Sequence, residues 1–483
     1  MQIPKYLQNY INGKLQKPID NQYIDNVNPA IGEVYSQIPL SNHKDLEKAV
    51  QSAKEAFPFW SNAGIKYRSE ILIKLAQLIK ENEDFLAQAE SLDNGKPIKL
   101  AKAVDIPRAY DNIHFFATAI EHFASEAHHM ENTAINYTLR RPIGVVGCIS
   151  PWNLPLYLFT WKIAPALASG NCVIAKPSEV TPLTAYLFSE LCIKAGLPKG
   201  VLNILHGTGQ SIGQEIVAHP EIKAISFTGG TATGAHIAKT AAPMFKKLSL
   251  ELGGKNPNII FNDANIEEAV DTSVKAAFSN QGQICLCGSR IYVQADIYDE
   301  FKEKFVAKVK QLKVGNPADE NTNIGAVVSK PHFDKILKHI AIAKEEDGKI
   351  LTGGKPITIE GAFKNGFYIE PTVIENLPLA CSTNKDEIFG PVVTLNKFET
   401  EEEVIALAND NRYGLSATIF TEDLRKAHRV AEKIEAGIVW VNTWLLRDLR
   451  TPFGGVKSSG VGREGGFEAL RFFTEPKNIC IKY

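Results

Sequence analysis

Charge of one sign, long apolar runs and paired cysteines are all scarce in this chain of 483 residues. Lys plus Arg (53) nearly cancels Asp plus Glu (54), so no global field draws the chain to nucleic acid or an anionic membrane surface, and a small-molecule partner is expected instead. Seven cysteines, an odd number thinly spread, exclude a secreted disulfide framework and point to free thiols in a reducing compartment. The first residues, MQIPKYLQNYINGKL, lack a basic stretch followed by an apolar core and a small-residue cleavage site. The chain closes on Cys480-Ile-Lys-Tyr483 without a prenylation box. A cytoplasmic protein with no lipid anchor is the expectation. The longest uncharged interval, Pro142 to Trp161, approaches a membrane span in length, but Pro142, Pro151, Asn153 and Pro155 interrupt it. It reads as buried strand, turn and helix. No further Cys or His stands at ligand spacing from Cys285 and Cys287, so no metal is expected.

What is present is ordinary globular material, 44% apolar and 22% charged, enough for two or three domains at about 150 residues each. From Asp45 to about Lys80, Leu46, Val50, Ala53, Ala56 and Phe57, then Ile71, Leu72, Leu75 and Ile79 recur at helical spacing. They predict two amphipathic helices broken at Pro58. A further helix follows Pro107. Between Pro142 and Asn262, β-rich runs at 143–149, 172–175, 201–205, 224–227 and 247–250 alternate with helical ones. This predicts βαβ units in a mostly parallel, doubly wound sheet whose ligands lie beyond the carboxyl ends of the strands. A second alternation through 258–261, 290–293, 392–398 and 438–441 predicts a second α/β domain. Ile479, Ile481 and Tyr483 alternate in the tail, which could add a strand to another sheet edge. No internal repeat, low-complexity segment or linker stands out.

Chemistry is offered by several segments. Asn280-Gln-Gly-Gln-Ile-Cys285-Leu-Cys287-Gly puts a thiol in a Gly- and Gln-rich turn that can supply exposure and backbone N–H groups to a nucleophile, although a small buried Cys is the commoner outcome for either residue. Glu251 ends a predicted strand before Gly253-Gly254-Lys255, where an apolar wall would raise its pKa for general-base work; a solvated loop acid is the plain alternative. Asn153 stands between prolines in Pro151-Trp-Asn-Leu-Pro155 and is either a rigid oxyanion donor or a turn residue. Two glycine-rich stretches, His206-Gly-Thr-Gly209 to Gly213 and Phe227-Thr-Gly229-Gly230 to Gly234, each follow a strand and open a helix, as phosphate sites do, though neither is a G-x-G-x-x-G fingerprint. Lys176-Pro-Ser178-Glu179 could grip ribose hydroxyls or form a solvated pair. Glu387-Ile-Phe389-Gly-Pro391 and the Gly-rich run 452–466 suggest close ligand approach or sharp turns.

Taken together and in this order, Pro-Trp-Asn-Leu-Pro, Lys-Pro-Ser-Glu, Phe-Thr-Gly, Glu-Leu-Gly-Gly-Lys, Gly-Gln-x-Cys and Glu-Ile-Phe-Gly-Pro resemble the NAD(P)-dependent aldehyde dehydrogenase superfamily, from about Tyr10 to the C-terminus. The resemblance implies an α/β fold. A Rossmann-type cofactor domain would comprise 1–123 and 143–253, a catalytic domain 254–455, and a small β oligomerisation element 124–142 and 471–483. It implies Cys285 as nucleophile, giving a thiohemiacetal and then, after hydride passes to the nicotinamide, a thioester. Asn153 and the Cys285 N–H would hold the oxyanion, and Glu251 would activate the hydrolytic water. Cofactor contacts would fall to Ile149, Trp152, Lys176, Ser178, Glu179, Gly209, Gly229, Gly230, Gly234, Leu252, Glu387 and Phe389. Gly230 replaces a Ser common among relatives and forgoes one hydroxyl contact. Glu179 would accept ribose hydroxyls and repel a 2′-phosphate, so NAD is expected over NADP.

Trp152-Asn-Leu-Pro-Leu-Tyr-Leu-Phe-Thr-Trp-Lys-Ile and Ile438-Val-Trp-Val-Asn-Thr-Trp-Leu-Leu-Arg447-Asp-Leu-Arg450 resemble, more narrowly, the 2-aminomuconic and 2-hydroxymuconic semialdehyde dehydrogenases. Such substrates carry a carboxylate remote from the aldehyde, for which a guanidinium is the fitting partner. The resemblance assigns that part to Arg108 and Arg447 and leaves Arg450 open; the plain alternative is that these arginines are surface ion-pair partners of Asp105, Asp111 or Asp448. The expected activity is NAD-dependent oxidation of such a semialdehyde to the diacid by a homodimer or homotetramer. Alternatives are an aldehyde dehydrogenase for betaine aldehyde or aliphatic aldehydes, a Cys285 hydrolase or acyltransferase without redox chemistry, and a non-catalytic relative.

Overall fold

A computed structural model describes residues 3–483. Its first large sheet has eight strands, and five of them, Leu202–Ile204, Cys172–Lys176, Val145–Ile149, Ile222–Thr228 and Lys247–Glu251, lie side by side in that order and run parallel. In chain order this is 3-2-1-4-5, so the crossover direction reverses between Val145–Ile149 and Ile222–Thr228. That reversal opens a ligand crevice at the carboxyl edge. All five strands are almost wholly buried, which explains why they read as apolar runs without alternation. Two short N-terminal strands, Asn9–Ile11 and Lys14–Gln16, extend one edge.

The opposite edge is closed from far along the chain. Gly460–Val461 pairs antiparallel with Lys247–Glu251, setting Gly460 opposite Glu251. The second sheet has seven strands, with Val392–Phe398, Arg290–Gln294, Pro257–Ile260 and Ser416–Phe420 parallel at its centre and Ile438–Val441 at one edge. In a third, small sheet the tail strand Thr474–Lys482 pairs along its whole length with Ala134–Pro142, which in turn pairs with Ala127–Met130.

One expectation fails in detail. The helix His43–Asn62 runs straight through Pro58, and the break comes at Gly64, whose φ of +80° begins the next helix, Ile65–Glu81. Proline removes one hydrogen bond, but tertiary contacts hold the last turn. Trp60 is fully buried and its indole N–H donates to the Leu167 carbonyl at 3.1 Å. Among the described residues no helix is long and apolar enough to cross a membrane.

Candidate active site

The Cys285 loop is held in an uncommon backbone shape. Asn280, Gln281 and Gly282 lie in succession in the left-handed region, with φ of 52°, 57° and 70°. For the two non-glycine residues this costs about 1 kcal/mol or more each. Three contacts fix the loop. Asn280 Nδ2 donates to the Asn153 carbonyl (2.9 Å), Gln281 Nε2 donates to the Ala326 carbonyl (3.0 Å), and a Cβ at Gly282 would lie 2.1 Å from the Gly390 oxygen. The result is a half-buried Cys285 whose carbonyl accepts from Asn256 Nδ2 at 2.7 Å. Its N–H has no acceptor among the described residues. Burial, then the carboxylates of Glu387 and Glu251, push its thiol pKa up.

Asn153 is clamped through its backbone. Besides Asn280, the buried Lys96 ammonium donates to its carbonyl (3.1 Å) and pairs with Asp105 (2.6 Å). The Asn153 amide gives one N–H to the Gln283 carbonyl (3.0 Å), which leaves its other donor available.

Cys285 stands on a wall common to two cavities. One, of about 250 Å³, is lined by Trp152, Asn153, Gly229, Gly230, Leu252, Glu387, Phe389, His332 and Lys335 as well. It lies beyond the strand ends, as the crossover reversal requires. The other, of about 120 Å³, is apolar and holds Glu251, Glu464, Tyr157 and Arg447 against Leu154, Leu158, Trp444 and Phe453. Glu251 is 3% exposed and neither carboxylate oxygen has a hydrogen-bond partner among the described residues. Burial, reinforced by Glu464, raises its pKa well above the ordinary carboxyl value.

The first cavity and its surroundings fit a dinucleotide. Gly230 precedes the helix Thr231–Ala241 without a side-chain cap, and a Cβ there would meet nothing within 4 Å. The helix N-terminus is therefore open to a phosphate. Gly234 has a different reason to be glycine, since a Cβ would lie 2.5 Å from Leu252 Cδ2. A Cβ on Gly229 would strike the Phe227 ring at 2.4 Å. Ile149 and Lys176 pair in register at adjacent strand ends. Lys176 Nζ bonds Glu179 at 2.9 Å. Burial is the largest single influence on Glu179 and opposes its ionisation, yet Lys176 and the backbone N–H groups of Glu179 and Gly209 together outweigh it and the net pKa is lowered. Ser178 accepts from the Val180 N–H (3.3 Å), and Glu387 accepts from the Gly254 N–H (2.9 Å).

Arg447 lines both the inner cavity and a third, outer cavity of about 870 Å³ that Arg108 also lines. Its guanidinium carbon lies 4.0 Å from the Phe453 ring centroid and 5.1 Å from that of Trp161. Among the described residues neither Arg108 nor Arg447 has a carboxylate within 4.0 Å. The acids that could have claimed them are otherwise engaged: Asp105 by Lys96, Asp448 by Arg450 (2.6 Å). Arg450 is an exposed ion-pair partner.

His332, Lys335, Tyr157 and Glu464 also line these cavities, and no motif singles them out. His332 donates from Nε2 to the Phe389 carbonyl (2.7 Å), and burial pushes its pKa down to about 4. Only the helix start at Ser329-Lys-Pro331 is visible beforehand. Tyr157 is legible in part, because it stands four residues before Trp161 on one helix and so shares its face.

The aldehyde dehydrogenase family model matches residues 16–479. The chain is 49% identical over 480 residues to the 2-aminomuconic semialdehyde dehydrogenase of Mus musculus, covering 99% of this chain and 98% of that one. It is 44% identical over 484 residues to the 2-hydroxymuconic semialdehyde dehydrogenase of Pseudomonas sp. strain CF600, covering 99% and 100%. Among solved structures, PnpE of Pseudomonas sp. WBC-3 in complex with nicotinamide adenine dinucleotide superposes with a TM-score of 0.96 at 41% identity, covering 98% and 97% of the two chains. On this evidence the chain belongs to the aldehyde dehydrogenase family.

Proposed function

We propose that the chain oxidises 2-aminomuconic or 2-hydroxymuconic 6-semialdehyde to the dicarboxylic acid with NAD, through a thiohemiacetal and a thioester on Cys285. The observation that carries this reading is Arg447, a guanidinium without an acid partner on the wall of the cavity that also holds Cys285 and Glu251. A charge kept free inside an aromatic and apolar site calls for an anionic ligand. The relatives' names supply the matching substrates.

In this reading the residues divide the work by cavity. Cys285 attacks the aldehyde carbon, and the free Asn153 N–H and the Cys285 N–H receive the oxygen as it becomes negative. Bound NAD supplies the two-electron acceptor. Glu251, its pKa raised, takes the proton of the thiol, passes it to solvent, and then takes a proton from the water that hydrolyses the thioester. The phosphates would rest at Gly229 to Gly234, the ribose hydroxyls on Lys176 and Glu179, and Ile149, Trp152, Ser178, Gly209, Leu252, Glu387 and Phe389 would complete the cofactor's walls. The unit around the first sheet (1–123, 143–253) would carry the cofactor and 254–455 the nucleophile. The small sheet, whose tail strand keeps one edge unpaired, would join copies into a homodimer or homotetramer. Free cysteines suit the cytoplasm.

The test follows NADH formation with 2-hydroxymuconic 6-semialdehyde, betaine aldehyde and hexanal. A kcat/KM at least about tenfold higher for the carboxylated aldehyde is expected. Equal values for all three would overturn the substrate assignment while leaving the family untouched.

A further inference from the structure

Tyr157 touches both substrate-side arginines. It stands on the helix Pro155–Ala168, 5% exposed, and lines the inner cavity with Cys285 and Glu251. Its phenolic oxygen accepts a hydrogen bond from Arg447 Nη1 at 2.6 Å. Its ring lies 5.8 Å from the guanidinium carbon of Arg108. Arg447 is the donor in that bond because a guanidinium has no lone pair to offer. The phenol proton is left over, and no acceptor for it exists among the described residues.

The backbone under Tyr157 is fixed as firmly as the side chain. Its carbonyl accepts from the amide of Asn112 (2.9 Å) and from the hydroxyl of Thr160 (2.9 Å). Asn112 belongs to the helix Ile106–Ala119, which also carries Arg108. The two arginines thus come from distant segments, and Tyr157 sets their spacing.

We propose that Tyr157 is a specificity-determining residue whose hydroxyl, held by Arg447, donates its proton to the substrate's remote carboxylate. This rests on the reading of a carboxylate-bearing semialdehyde given above. The carboxylate then receives three donors, two guanidinium and one phenolic, and the phenol is oriented before substrate arrives. An aldehyde without the remote carboxylate has nothing for that proton and gains nothing from Tyr157. The hydroxyl takes no part at the aldehyde carbon, so its contribution is the same in the bound substrate and during reaction.

Tyr157→Phe keeps the ring and removes only the donor. For 2-hydroxymuconic 6-semialdehyde, KM is expected to rise about tenfold, the worth of one hydrogen bond to a charged group, with kcat within about twofold; for hexanal both constants stay within about twofold. Muconate dianion, tested as a competitive inhibitor of hexanal oxidation, should weaken by the same factor as the KM change. An unchanged KM and an unchanged muconate inhibition constant would overturn the proposal while leaving Arg447 and the substrate assignment intact. A parallel loss on hexanal would overturn it in favour of a packing role. Wild-type protein that does not prefer the carboxylated aldehyde over hexanal overturns the underlying reading, and that result is visible before any variant is made.

Discussion

Glu251 and Glu464 line the same buried cavity, but only Glu464 has a cation, the Lys162 ammonium at 2.8 Å. The unpaired carboxylate is the one placed to act on water. Its pKa is raised first by burial and then by Glu464, so the protonated form persists above the ordinary carboxyl range and the base form grows as pH rises. The acid limb of the kcat profile is expected above pH 4.5, the ordinary value for glutamate. Glu464→Gln removes the repelling charge and frees Lys162 to attract, so both changes move that limb to lower pH. A limb that stays in place would mean that another group titrates.

Two thiols lie two residues apart, and only one faces the cavities common to the cofactor and substrate sides. Cys285→Ala should lower NADH formation by more than about a thousandfold, as loss of a nucleophile does. Cys287 is buried, its N–H bonded to the Ile284 carbonyl at 2.9 Å, and Cys287→Ala should stay within about threefold. Steady-state rates at saturating aldehyde decide it.

The arginines separate by environment. Arg447→Ala removes a guanidinium packed on two aromatic rings and should raise KM for the muconic semialdehyde by about ten- to a hundredfold while sparing hexanal. Arg450→Ala breaks only an exposed pair with Asp448 and should change neither constant by more than about twofold. Equal effects of the two variants would remove the distinction drawn from the cavities.

Cofactor preference is expected to turn on Glu179. Glu179→Ala releases Lys176 from its 2.9 Å pair and removes the charge that repels a 2′-phosphate. The ratio of kcat/KM for NADP over NAD should rise about tenfold. Gly230→Ser tests the neighbouring position. With φ at −70° and no atom within 4 Å of the added Cβ, serine fits without strain and should lower the NAD KM about threefold by one added hydrogen bond.

Much of this architecture is legible from residues close together in the chain. Glu251 before two glycines, Asn153 between prolines and Cys285 in its Gly-rich turn each announce a local backbone need, and the strand at 392–398 follows from an apolar run bounded by Pro391. What stays hidden is assembly at a distance. Nothing local marks Glu464 as a neighbour of Glu251, because that contact depends on Gly460–Val461 pairing with a strand more than two hundred residues earlier. His332 reaches the cofactor-side cavity from a helix whose pattern shows only that it is a helix. Pro58 misled because a breaking residue was weighed without the burial of Trp60. The strands Asn9–Ile11 and Lys14–Gln16 were too short, at three residues each, for periodicity to register.

The pairing of Glu251 with Gly460 also sets an order of events during synthesis. A chain emerging from its N-terminus makes Glu251, Asn153 and Cys285 long before it makes residues 460–464. Until then the Lys247–Glu251 strand lacks the partner that covers its edge, and Lys162 lacks the carboxylate of Glu464. A chain ending before Gly460 would carry Glu251, Asn153 and Cys285 yet lack the segment that covers the edge of the Glu251 strand.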